Sequence, residues 1–88
     1  MEFQFEPGRI WAEDEAGRVT AEVLFPEENG TAVITRTFVD GSLRGQGVAG
    51  LLMEAAVARI RAEGKKARPV CSYAVKWFED HPEQSDLL

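Results

Sequence analysis

The hydrophobic period of this chain changes at Val39, and that change limits the folds open to it. Before Val39 apolar residues recur at every second position; after it they recur three and four apart. Arg9–Glu13 sets Ile10 and Ala12 between polar or amphipathic neighbours. Thr20–Phe25 puts Ala21, Val23 and Phe25 on one face. Asp14-Glu15-Ala16-Gly17 reads as the turn between them. Asn29-Gly30 is a hairpin signal, because both residues accept positive φ. Thr31–Val39 is rich in β-branched residues and apolar on both faces, the pattern of a single central strand covered on both sides. These runs predict three antiparallel strands in a meander.

Beyond Val39 the expectation is loop, then helix. Asp40–Gly47 is loop material, and a helix is predicted from about Val48 to Glu63. Leu52, Ala56 and Ile60 form its buried face, with Val48, Leu51 and Ala55 beside them. Gly64 stands where a left-handed cap belongs. Lys65–Val70 reads as a short fourth strand, in which Pro69 demands an edge or irregular position. Strand, helix, strand implies a crossover and a parallel pair. A last helix runs from Ser72 to about Asp80, and Pro82 ends it. Trp11, Trp77 and Phe78 are read as packing, and Gln84–Leu88 as a frayed tail. The class is α/β (α+β), in the order β-β-β-α-β-α, with a mostly antiparallel sheet.

Composition narrows the partners. A chain of 88 residues has the length of one domain, so residues 1–88 are read as a single unit. The net charge is −5, which argues against nucleic acid and anionic membrane. One cysteine forms no intrachain disulfide and no zinc site, and the lone His81 makes a metal centre a poor expectation. The cysteine usage, with no basic-then-apolar leader at the N-terminus, sets the expectation of a cytoplasmic setting. Five of the ten basic residues fall between Arg59 and Arg68 (Arg59, Arg61, Lys65, Lys66, Arg68). They read as a solvated face or as a patch for a small anion.

The chemistry concentrates in Arg44-Gly45-Gln46-Gly47-Val48-Ala49-Gly50, between a strand and a helix. Free N–H groups at a helix N-terminus attract anions, and the dipole adds to them. Glycine lets the backbone approach a phosphate, and Arg44 adds a charged donor. Gly45-x-Gly47-x-x-Gly50 matches the dinucleotide fingerprint, but its context fails. Five residues of loop precede it, and Lys65–Cys71 holds no acid for a ribose. Gly45-x-x-x-x-Gly50 is followed by Leu51-Leu52 where a nucleoside-triphosphate loop needs Lys and Ser or Thr.

A third pattern, Arg44-x-x-Gly47-x-Ala49, resembles the acetyl-CoA pyrophosphate loop of the GNAT superfamily of N-acetyltransferases, and the approach Val39–Gly47 and the order of elements are similar to that family from about Arg9 to Pro82. The likeness is strongest to a small subfamily of about this length, the YjdJ-type proteins, through Cys71, Tyr73 and His81-Pro82. The resemblance implies acetyl-CoA (coenzyme A) as cofactor, with pyrophosphate on Gly45, Gln46, Gly47, Val48 and Ala49, Arg44 beside it and Val39 leading in. It also implies a pantetheine arm between the third strand and Lys65–Val70, and a thioester near Cys71 and Tyr73. The basic cluster would then attract the nucleotide's phosphates.

Cys71 sits at a strand–helix junction, where the helix N-terminus and nearby cations favour a thiolate able to take an acyl group. The competing reading is a small buried apolar residue. The resemblance gives Tyr73 the role of general acid to the departing CoA thiolate; the alternative is a half-buried aromatic. Two departures from the family stand out. Thr31–Val39 has no carboxylate to act as base, and neither Asp40 nor Glu22 is a clear substitute. The helices that usually separate the first two strands are replaced by Asp14–Gly17, leaving the acceptor side open. His81 reads as a partner for the carbonyls of the last helical turn. The expected function is acetyl transfer from acetyl-CoA to a small-molecule or protein amine, by Cys71 relay or direct attack. The alternatives are a non-catalytic CoA-binding or sensing module and a protein-interaction domain.

Overall fold

The computed structural model describes residues 1–88. Its strands are β1 (Gln4–Glu6), β2 (Arg9–Glu13), β3 (Val19–Leu24), β4 (Glu27–Glu28), β5 (Thr31–Ile34), β6 (Arg36–Val39) and β7 (Lys66–Pro69), and its helices are α1 (Val48–Ala62) and α2 (Ser72–Asp80). Asp14 builds the first expected turn. Its carboxylate accepts from the N–H groups of Ala16 and Arg18, both at 2.9 Å, so β2 folds back on β3 with no helix between them. Asn29 and Gly30 take φ of 52° and 82° and join β4 to β5 in a tight hairpin. The strands β1 and β4, absent from the sequence reading, are short and exposed, and their sequences lack an alternating apolar pattern.

The expected single strand Thr31–Val39 is instead two strands. The register shows why. Leu24 opposes Arg36, whereas Glu27 opposes Ala32. Two residues on one strand therefore face three on the other, and the extra residue is a bulge around Thr35. Ile34 faces the core, and so does Thr37, which pairs with buried Val23. In an unbroken strand, positions three apart would face opposite sides. The bulge also divides the sheet. β1-β2-β3-β6 is antiparallel throughout, while β5 belongs to a β4-β5-β7 sheet with a parallel β5–β7 pair. β7 is an edge strand, which accommodates Pro69 at its end.

Both helices pack on one face. Ile10, Val23 and Ile34 from the strands meet Leu52, Met53 and Ile60 of α1 and Trp77 and Phe78 of α2 in one core. Leu51 departs from expectation. α1 turns Val48, Leu52, Met53, Ala56, Val57 and Ile60 inward, which leaves Leu51 47% exposed. The C-terminal segment also differs. Pro82–Leu87 is a 3-10 turn, not a frayed tail, because Leu87 enters the core and Asp86 pairs with Arg61 at 2.6 Å. On the other face of the sheet Glu22 lies opposite Trp11 and Phe38, held by Arg9 at 2.7 Å and Arg36 at 3.5 Å.

Candidate functional site

The loop between β6 and α1 is shaped from its own residues. Asp40 accepts from the Ser42 hydroxyl at 2.6 Å and the Ser42 N–H at 3.0 Å, which starts a 3-10 turn over Gly41–Leu43. These two bonds hold the Asp40 carboxyl below its usual range. Arg44 then runs extended, and Gly45 and Gly47 take φ of 82° and 73°, a region where an L side chain is strained. A Cβ on either glycine would stand in open space, so the loop presents bare backbone outward.

The N–H groups from Gly45 to Gly50 have no acceptor within the protein; the first such bond of α1 runs from Leu51 N to Gly47 O at 3.2 Å. Six consecutive free donors crown a 15-residue helix. They border a cleft of about 250 Å³ lined by Val39, Arg44, Gly45, Gly47, Val48 and Ala49 of the expected set, together with Tyr73. Gln46 is exposed and contributes only its N–H to this arrangement. The donor set suits a pyrophosphate. Gly50 plays no part as the fingerprint's third glycine. A Cβ there would meet only the Tyr73 hydroxyl, at an ordinary 3.9 Å, and no strand backbone.

From this cleft the unpaired edge of β6 leads to Cys71. β7 follows β5 only as far as Pro69, and both Val70 N–H and Cys71 N–H then donate to Ile34 O at 3.0 and 3.1 Å. Past that point β6 has β3 on one side and no strand on the other. The gap opens where the bulge separates the two sheets. Cys71 caps α2 and is half-buried, with its Sγ 3.4 Å from the Thr37 hydroxyl. It does not line the loop cleft. Its partner Thr37 stands two residues back along β6 from Val39, about 7 Å by strand rise. Tyr73, 39% exposed, reaches into the cleft from α2. Burial, then the Asp80 charge, raises its phenol above the usual range.

The basic cluster does not gather at this site. Arg59 lies over the Phe5 ring, Arg61 and Lys66 hold Asp86, Lys65 is held by Glu27 and Glu63, and Arg68 is 3.5 Å from Glu28. Arg59 is 11 residues along α1 from Val48, about 17 Å of helix. These cations fasten the far end of the fold, and Arg44 is the basic residue lining the cleft. His81 donates from Nδ1 to Trp77 O at 2.7 Å and stacks on the Trp77 ring, the helix-end role expected of it. Thr37 and Leu43 belong to the site but escaped the sequence reading. The bulge reverses which side of the strand Thr37 faces, and nothing in the one-letter pattern marks the bulge.

A helix crowned by free N–H donors thus stands beside a sheet that divides at a bulge. The chain belongs to the GCN5-related N-acetyl-transferase family, whose model matches residues 9–87. It is similar to a GCN5-like protein of Staphylococcus aureus solved in solution, with TM-score 0.80 and 26% identity over 98% of this chain and 85% of that one. It shares its fold with the GNAT-family YhbS of Escherichia coli, solved in complex with CoA. That match has TM-score 0.64 and 23% identity over 77% of this chain and 42% of that one. The ribosomal-protein-S18-alanine N-acetyltransferase of Escherichia coli matches with TM-score 0.65 and 14% identity over 89% and 50%. The chain thus spans about half the length of these two larger enzymes. No curated protein matches it.

Proposed function

We propose that this protein transfers an acetyl group from acetyl-CoA to an amine, with Cys71 as the relaying nucleophile. The observation that carries the reading is the row of free N–H groups from Gly45 to Gly50, opening onto the unpaired edge of β6 that ends at Cys71. Bound acetyl-CoA supplies an activated carbonyl and a thiolate leaving group. The loop donors and Arg44 hold its pyrophosphate, and the β6 edge directs its arm toward Thr37 and Cys71. Tyr73 remains protonated at neutral pH and provides an O–H to the departing sulfur.

Relay is favoured over direct attack because neither candidate carboxylate, Glu22 nor Asp40, is free to act as base. Glu22 is held by two arginines, and Asp40 is committed to Ser42. The β2–β3 turn leaves the acceptor side without a covering helix, which suits an amine carried on a larger molecule. The same lack of a base supports a second reading, an acyl-CoA-binding module without turnover.

Calorimetric titration with acetyl-CoA, followed by intact-mass analysis, tests these readings. Saturable binding and a one-acetyl mass increase on Cys71, absent in Cys71→Ser, are expected. Binding without acylation or acetyl consumption across an amine panel would move the assignment to the binding module. Full transferase activity in Cys71→Ser would remove the relay.

A further inference from the structure

We propose that Thr37 is the positioning residue for Cys71, its hydroxyl holding the sulfur at the mouth between the two sheets. This inference rests on the relay reading above. Thr37 Oγ1 lies 3.4 Å from Cys71 Sγ, within hydrogen-bond reach of a sulfur, and joins residues 34 apart in sequence. Cys71 makes no side-chain capping bond to α2, so this contact is the polar restraint on its sulfur. Neither partner can drift independently. Thr37 is fixed in the β3–β6 ladder opposite Val23, and the Cys71 backbone is tied to Ile34 O at 3.1 Å. The bulge at Thr35 is what turns Thr37 toward Cys71 in place of the outer face of the sheet.

The chemistry gives the contact a direction. With a neutral thiol either group can donate, but a thiolate has no proton, so only the Thr37 O–H can donate to it. In the relay, the Cys71 thiol loses its proton to solvent and its sulfur attacks the acetyl carbonyl. The new Sγ–C bond forms as the carbonyl–sulfur bond of the thioester breaks. The CoA sulfur leaves with the electron pair and takes the Tyr73 proton, which solvent replaces. In the second half the amine nitrogen attacks the acetyl carbon and releases its proton to solvent. The Sγ–C bond breaks and the electron pair returns to sulfur. A hydroxyl fixed beside Sγ orients it for attack in the first half and receives the thiolate in the second.

Thr37→Val keeps the shape and strand preference while deleting the donor; Thr37→Ser keeps the donor. Burst acylation of Cys71 by acetyl-CoA, followed by quenched intact-mass analysis, should slow about ten-fold in Thr37→Val, the scale of one lost hydrogen bond to a charged group. Thr37→Ser should restore most of the rate. The acetyl-CoA dissociation constant and thermal midpoint should remain those of the parent in both, which separates positioning from a structural role. Acylation at the parent rate in Thr37→Val would overturn the proposal and leave the relay intact. So would slowing of both variants in step with a lowered thermal midpoint. No acylation of Cys71 in the unmodified protein would overturn the relay itself and the proposal with it.

Discussion

Asp86 binds the Arg61 guanidinium at 2.6 Å and delivers the neighbouring Leu87 into the core beside the end of α1. The two contacts differ in strength. The ion pair is exposed, and exposed pairs contribute little after screening and side-chain ordering. Leu87 is 4% exposed, and truncating a buried leucine costs about 2–5 kcal/mol, a large share of a small domain's stability. Leu87→Ala should therefore lower the thermal midpoint by about 8 °C or more, at about 4–8 °C per kcal/mol for a domain of this size. Asp86→Asn should change it far less. Equal effects would show that the segment is held by charge.

Gly47 and Gly50 should respond in opposite ways to alanine. Gly47 has φ of 73°, where an L residue costs about 1–2 kcal/mol, and its added Cβ would project from the donor row. Gly47→Ala should weaken CoA binding about ten-fold or more and lower stability. Gly50 lies inside α1 with room for a methyl group, so Gly50→Ala should gain about 0.5–1 kcal/mol of helix preference and leave CoA affinity intact. Calorimetry and thermal melts of both variants check this. A severe binding loss in Gly50→Ala would restore the dinucleotide-type role that the geometry denies it.

The parts of the fold legible in the sequence were those with local signals. The Asp14 turn, the Asn29-Gly30 hairpin and the Gly45–Gly47 loop each depend on backbone preferences of the residues themselves. The bulge at Thr35 does not. It follows from a register mismatch between Leu24–Glu27 and Ala32–Arg36, a property of two segments together. Thr37 was hidden for that reason. Of the two readings of the basic cluster, the solvated face holds and the anion patch does not, because charge density says nothing about distance. The cluster's acidic partners, Glu27, Glu28 and Asp86, come from distant parts of the sequence. Leu87 was equally hidden, as one apolar residue in a polar end carries no period.

Acid should destabilise the fold through a defined set of carboxylates. Hydrogen bonds from the Ser42 side chain and N–H hold Asp40 below its usual range, and the Arg61 hydrogen bond does the same for Asp86. A group with a depressed folded pKa stabilises above its unfolded value and loses that contribution as pH falls through the folded one. Thermal midpoints should be level from neutrality to about pH 5 and fall below about pH 4, where unfolded carboxylates titrate. Asp40→Asn retains an acceptor for the turn, so it should flatten part of that fall without large loss at neutral pH. An acid limb unchanged in Asp40→Asn would assign the sensitivity elsewhere.

Tyr73 is the chain's single tyrosine, so its ionisation can be followed directly by ultraviolet absorbance. Burial raises its pKa first, and the Asp80 charge adds to this because a nearby anion opposes formation of a phenolate. The titration midpoint should lie above the ordinary tyrosine range, and Asp80→Asn should move it down. The same proton is the one offered to the leaving sulfur, so kcat should decline at the basic end as the phenol ionises. Tyr73→Phe should lower kcat by about 10²-fold, the lower end for a positioned general acid, and abolish that basic limb. Its acetyl-CoA dissociation constant should change little, because the loop N–H groups hold the phosphates. A midpoint in or below the ordinary range, or unchanged kcat in Tyr73→Phe, would reduce Tyr73 to a wall of the cleft and leave the CoA sulfur to take its proton from water.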